Sequence, residues 1–262
     1  MLIIIDPTPE NASIRAARIV ANQLRSNPSS VLGLATGKTP LGLYSELIRM
    51  NREDGLDLSG VTTFNLDEYF GISKDHPHSF HREIHQNFLD HTNIEAENTH
   101  IPDGSSADFE RTCSEYEMAL RKAGGIDLQI LGIGRSGHIG FNEPTSSLAS
   151  RTRVKTLSNE TIEDNRKIAE DIPNIAITMG IGTILEAKHL LMLAFGDAKA
   201  DAIAKAIEGP LTSSVSASAM QMHRNVTVLL DEEAAAHLTH RDYYRRVVDQ
   251  TAKYSPDRLG LK

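Results

Sequence analysis

Among its 262 residues the chain has one cysteine and no tryptophan, and only 5% of it is aromatic. A lone Cys113 excludes a disulfide framework, a CxxC redox pair and a thiolate metal cluster. Long hydrophobic runs are missing too. Asp, Lys or Arg interrupts every apolar stretch well short of the roughly 20 residues a membrane helix needs. The apolar start, Met1 to Ile5, lacks a basic lead, is too short for a secretory segment and runs into Asp6 and Pro7, so it reads as a first strand. Positive charge is scarce: 27 Lys and Arg against 35 Asp and Glu leave a net charge of −8. Such a balance argues against nucleic acid as the main partner, because that binding needs a basic surface to neutralise phosphates. Together these absences predict a soluble, cytoplasmic protein, and an anionic ligand would have to be attracted by local groups. A core of apolar side chains alone suffices at this length.

What is present is alternation. Short runs rich in Ile, Val and Leu over 2–5, 30–35, 61–65, 126–131, 189–194 and 226–230 predict strands. Stretches of helical period over 11–26, 40–53, 107–123, 180–187, 198–208 and 231–250 separate them. The pattern predicts one α/β domain spanning 1–262, a Rossmann-like three-layer sandwich around a mostly parallel sheet. Residues 143–178 show the least regular period, so a mobile lid is expected near 145–182. In open sheets of this kind ligands bind beyond the carboxyl ends of the strands, and three such segments carry chemistry.

After the second strand comes Ala35-Thr36-Gly37-Lys38-Thr39-Pro40. Its Gly-Lys-Thr suggests a nucleotide loop, but Gly33 and Gly37 stand too close for the spacing of that motif. Two readings remain: the amides of Thr36, Gly37 and Lys38 cradle a phosphate at a helix start, or this is an ordinary turn with a solvated lysine. After the third strand, Asn65-Leu66-Asp67-Glu68-Tyr69 sets two carboxylates beside apolar neighbours. Burial there would raise a carboxylate toward the range of a general base, whereas a helix or turn cap is the plainer alternative. His78, His81 and His85 share a helical spacing that suits zinc, yet no cysteine accompanies them, and no metal is expected.

After the fourth strand, Gly132-Ile133-Gly134-Arg135-Ser136-Gly137 completes a G-x-G-x-x-G. Pro144 comes too soon for a helix to begin at the third glycine. About 20 residues on, where a dinucleotide fold needs an acid, the chain is basic at Arg151, Arg153 and Lys155. The glycines instead suit close approach to a substrate, and no cofactor is expected. His138 follows, with Asn142 and Glu143 downstream, a pattern suited to an acid–base histidine oriented by a carboxylate.

These residues resemble the glucosamine-6-phosphate deaminases, also called isomerases. The likeness runs from Leu32-Gly33-Leu34-Ala35-Thr36-Gly37 through Phe64-Asn65-Leu66-Asp67-Glu68-Tyr69 and Gly137-His138-Ile139-Gly140-Phe141-Asn142-Glu143-Pro144 to Gly196-Asp197-Ala198-Lys199. The resemblance implies conversion of glucosamine 6-phosphate and water to fructose 6-phosphate and ammonia, without metal or nucleotide. It implies that Asp67 moves a proton between C2 and C1, that His138 with Glu143 opens the sugar ring, and that Thr36, Gly37, Lys38 and Lys199 hold the phosphate. Two positions depart from the family pattern. Ser136 stands where an acid or amide is common, and the arginine that clamps phosphate aligns with Lys167. In hexameric, activated members N-acetylglucosamine 6-phosphate binds between subunits at positions matched by Ser146, Arg153 and Lys155, with Tyr254 matching a C-terminal tyrosine. The alternative is a solvated basic stretch in a monomer. Other readings of the whole chain are a galactosamine 6-phosphate deaminase, a 6-phosphogluconolactonase or a phosphosugar-binding regulator without activity.

Overall fold

The computed structural model describes residues 1–261. Every apolar run predicted as a strand forms one, and all join a single parallel sheet. Its strands are β1 (Leu2–Asp6), β2 (Val31–Leu34), β3 (Thr62–Asn65), β5 (Thr99–His100), β6 (Leu128–Leu131), β9 (Leu190–Ala194) and β10 (Val226–Asp231). They lie in the order β1-β10-β9-β6-β2-β3-β5, each pair parallel. Strands of this sheet are buried nearly throughout, which explains their unbroken apolar sequence.

Helices flank the sheet: α1 (Pro9–Ser26), α2 (Leu41–Glu53), α3 (Phe80–Asn87), α4 (Phe109–Lys122), α5 (Asn159–Arg166), α6 (Ile181–Leu185), α7 (Ala200–Ile207) and α8 (Arg241–Tyr254). The Thr8 hydroxyl accepts the Asn11 amide and Pro9 takes the first turn, a sequence-encoded start for α1. Ala12, Ala16 and Ala17 then give α1 a face small enough to pack closely on its neighbours.

The topology itself selects a site. From β2 the next strand of the sheet, β3, lies on one side, and from β6 the next, β9, lies on the other. The strand order therefore reverses between β2 and β6, and a crevice opens at their carboxyl ends.

Two expectations are corrected. The region 143–178 is not irregular: β7 (Arg153–Thr156), α5 and β8 (Ile175–Thr178) occupy much of it. With β4 (Asp67–Tyr69) the two strands make a separate antiparallel sheet, β4-β8-β7, over a small core of Tyr69, Ile72, Phe141, Leu157, Ile172 and Ala176. Its strands are short, and β4 and β7 carry mostly polar side chains, so local period hides them; pairing distant in sequence makes them. The helix expected over 231–250 starts only at Arg241. Asp231 instead ends β10, and its carboxylate accepts the amides of Gly196 and Ala234, which favours turns over residues 232–240.

Candidate active site

A cavity of about 550 Å³ lies at the β2/β6 switch point. Three loops and the small sheet wall it. The turn Ala35 to Thr39 is fixed by Tyr44, whose hydroxyl donates to the Ala35 carbonyl at 2.7 Å and accepts the Ala35 amide at 3.2 Å. Gly37 sits at φ +89°, a backbone that favours glycine, and its amide donates to Glu83 Oε1 at 2.7 Å. Thr36, Gly37 and Lys38 all line the cavity.

The structure separates the two adjacent acids. Glu68 turns away from the cavity and accepts the amides of Tyr69, Phe80 and His81 at 2.8, 2.9 and 2.8 Å, capping the start of α3. Asp67 lines the cavity and is 7% exposed. No hydrogen bond among the described residues ends on its carboxylate. Burial, with Glu68 and Glu83 nearby, pushes the Asp67 carboxyl up to about 8. The plainer cap reading thus holds for Glu68 and the buried-acid reading for Asp67.

Beyond β6 no helix begins at Gly137, so the structural context of a dinucleotide loop is absent. His138 packs over Gly134, where any side chain would strike its ring. Its Nδ1 faces two oxygens, Ser136 Oγ at 2.8 Å and Glu143 Oε2 at 3.3 Å. The Glu143 contact is an ion-pair distance off the hydrogen-bond line, whereas the serine contact is a hydrogen bond. Burial opposes the Glu143 charge, yet the His138 ring, the Thr161 hydroxyl and the Ser158 amide together hold its carboxyl down at about 2. An acceptor-only carboxylate beside Nδ1 favours the proton on that nitrogen and leaves Nε2 as the base.

Cations reach the cavity from two sides. Lys199 Nζ donates to the Ile133 carbonyl at 2.7 Å and lines the wall. Arg135, which the sequence reading passed over, also lines it and pairs with Asp164 at 3.1 Å. Lys167 does not line it: its side chain is 69% exposed and pairs with the other oxygen of Asp164 at 2.7 Å. Of these two basic groups, Arg135 lines the cavity and Lys167 does not.

Of the residues matched to an activator site, Ser146 is buried and donates to the Glu143 carbonyl at 2.7 Å, and Arg153 donates to Asn142 Oδ1 at 2.9 Å. Lys155 follows on the same strand, β7. Tyr254 is not brought to them. It is 83% exposed at the end of α8, which packs on the edge strand β1. The suspected histidine cluster resolves into pairs: His81 and His85 stack with centroids 4.6 Å apart, and His85 bonds Asp90 at 2.8 Å. Among the described residues no three His, Cys, Asp or Glu side chains are grouped to hold a metal ion. Nor is any described helix long and apolar enough to cross a membrane.

Sequence reasoning missed Glu83 and Arg135, along with Thr161 and Asp164 on α5. The first sits on a short helix with Ile84 as its one buried residue. The last two lie in the segment that looked irregular.

A parallel sheet whose switch-point crevice holds an amide turn, a buried acid and an oriented histidine defines an α/β acid–base enzyme for a small anionic substrate. Residues 8–229 match the model of the family described as glucosamine-6-phosphate isomerases/6-phosphogluconolactonase, and the chain belongs to that family. A glucosamine-6-phosphate deaminase of Thermoanaerobacter sp. (strain X514) is 50% identical over 92% of this chain and 97% of its own. One from Shewanella woodyi is 47% identical over 97% of each. The solved structure of a monomeric glucosamine-6-phosphate deaminase superposes with a TM-score of 0.89 at 43% identity, covering 90% of this chain and all of that one. A 6-phosphogluconolactonase from Trypanosoma brucei has the same fold, at a TM-score of 0.72 and 21% identity over 91% of this chain and 98% of its own.

The raised Asp67 carboxyl has a consequence for stability. The folded chain keeps a proton that the unfolded chain releases near pH 4, so this group's contribution falls as pH rises from about 4 to about 8. Asp67→Asn cannot ionise. Its stability relative to wild type in urea unfolding will therefore grow across that window, and a difference that stays constant with pH would contradict the burial argument.

Proposed function

We propose that this site converts glucosamine 6-phosphate and water to fructose 6-phosphate and ammonia, in the cytoplasm. One observation carries the reading: a buried carboxylate without hydrogen-bond partners shares a cavity with an oriented histidine, an amide turn and Lys199. His138 Nε2 accepts the proton of the anomeric hydroxyl and returns one to the ring oxygen, opening the pyranose. Asp67 then takes the proton from C2 of the open-chain aldose and delivers it to C1, while the substrate ammonium gives a proton to the C1 oxygen. C2 becomes an iminium, water adds, ammonia leaves and a ketone remains at C2. Thr36, Gly37 and Lys38 bind the phosphate with Lys199 and Arg135, through charge-assisted bonds and a helix start. Segment 145–182 acts as the lid, a role supported by Glu160, Thr161 and Asp164 of α5 on the cavity wall.

The assay is ammonia release from glucosamine 6-phosphate, with galactosamine 6-phosphate as the comparison. Release from neither sugar would overturn the reading in favour of a lactonase or a binding protein. Asp67→Asn will lower kcat by about 10²–10⁴, the usual worth of one acid–base group. Wild-type kcat/KM will rise with pH until about 8, where the free carboxyl is ionised.

Ser136 occupies the position next to Nδ1 with a neutral hydroxyl. We propose that it weakens the drive for ring opening, because a carboxylate there would favour the protonated ring. The pH dependence of turnover will differ between wild type and Ser136→Asp. Coincident profiles for the two proteins would sink the idea.

An activator site for N-acetylglucosamine 6-phosphate at Ser146, Arg153 and Lys155, in a hexamer, is supported by the contacts of Ser146 and Arg153 with the catalytic loop. The exposed Tyr254 would then have to join it from another subunit. Sigmoidal rate curves that turn hyperbolic with that compound would support the site, and curves it leaves unchanged would remove it.

A further inference from the structure

We propose that Glu83 sets the affinity of the site for phosphate: its carboxylate occupies the Gly37 amide in the free protein, and the phosphate must displace it. The inference rests on the phosphate reading of the turn at Gly37. At 2.7 Å the contact has the length of a charge-assisted hydrogen bond. A carboxylate oxygen accepting a backbone N–H at φ +89° is chemically what a phosphate oxygen would be in the same place.

Glu83 reaches the turn by construction. The Ser79 hydroxyl accepts the Arg82 amide and Glu68 accepts those of Phe80 and His81, so the first turn of α3 is held from both sides. Glu83 then projects one helical step further into the cavity wall. No ion pair or second hydrogen bond among the described residues engages its carboxylate. Only the Gly37 amide answers its charge, and burial works against that charge. Such a group is held firmly enough to keep the cradle closed to a neutral sugar and loosely enough to yield to a dianion. A phosphate brings more negative oxygens to the same amides and also reaches Lys199 and Arg135, contacts an unphosphorylated amino sugar cannot make. Glu83 is thus a specificity-determining residue that acts by competition.

Calorimetry with inorganic phosphate on wild type, Glu83→Gln, Glu83→Ala and Lys199→Ala tests this, alongside KM and kcat for glucosamine 6-phosphate. Both Glu83 variants should bind phosphate more tightly, the alanine by about tenfold, the size of one such bond. KM should fall with them while kcat moves less, and Lys199→Ala should weaken phosphate. A merely structural Glu83 would not tighten anything when removed. Unchanged or weaker phosphate binding in both Glu83 variants, with Lys199→Ala still weakened, overturns the inference and leaves the proposed reaction standing. Phosphate binding unmoved in all of the variants overturns the phosphate reading of the turn itself.

Discussion

The pairing of Asp67 with Thr178, where β4 meets β8, holds the site together. Thr178 Oγ1 accepts the Phe141 amide at 3.1 Å, and Asn142 Nδ2 donates to the neighbouring Met179 carbonyl at 2.8 Å. The loop carrying His138 is thereby fastened to the strand that also holds Asp67, although 71 residues separate the two groups in sequence. Gly140 lets the loop pass at this distance, since a side chain there would press on Thr178 Oγ1 and Asp67 Oδ2. The rings of Tyr69, Phe80 and Phe141, with centroids 4.7 to 5.8 Å apart, seal the same junction with apolar area. This packing buries Asp67 to 7% exposure, and no hydrogen-bond donor among the described residues reaches its carboxylate. The cost of burial therefore appears as a carboxyl held near 8, where a general base operates best.

The sequence made the large sheet legible because its strands are buried on both faces and read as apolar runs. Asp67, His138 and Glu143 were legible for a different reason: they stand just past strand ends, where the fold class puts ligands. The small sheet was not legible. Asp67-Glu68-Tyr69 and Arg153-Val154-Lys155-Thr156 look like loop residues until β8 pairs with both. With that sheet went α5, hence the partners of Glu143. Which basic group faces the cavity is likewise a matter of three-dimensional placement. Asp164 binds both Lys167 and Arg135, and geometry turns only Arg135 toward the cavity. From the residues alone either Asp67 or Glu68 could have been the cap, and only the fold shows that Glu68 takes the α3 amides.

Net charge says little about how an anion would be held here. The protein carries −8, and the cavity itself includes Asp67, Glu83, Glu160 and Asp164. Attraction is local: amides at the start of α2, with Lys38, Lys199 and Arg135 beside them. Lys199 is spared full hydration and donates to a carbonyl, and its burial lowers its pKa, so its charge is least screened where a phosphate would approach. Two of the acids sit among these groups, Glu83 on the Gly37 amide and Asp164 paired with Arg135, so an incoming anion would meet an amide already engaged and a cation already partly neutralised.

Glu143 connects these parts. Its Oε2 faces the His138 ring, its Oε1 receives the Thr161 hydroxyl and the Ser158 amide from the start of α5, and its carbonyl receives Ser146 Oγ. One residue earlier, Asn142 Oδ1 receives Arg153 from β7. Any shift of α5 or β7 is therefore felt at the nitrogen that fixes the tautomer of His138. The Ser136 hydroxyl, 2.8 Å from that nitrogen, can hold the ring when Glu143 moves, but as a neutral partner it cannot replace the carboxylate's field. In a chain with an acid at 136, the ring would keep a charged partner whatever α5 does. With serine there, the electrostatic support of His138 depends on Glu143 alone, and so on the placement of α5, whose start holds that carboxylate.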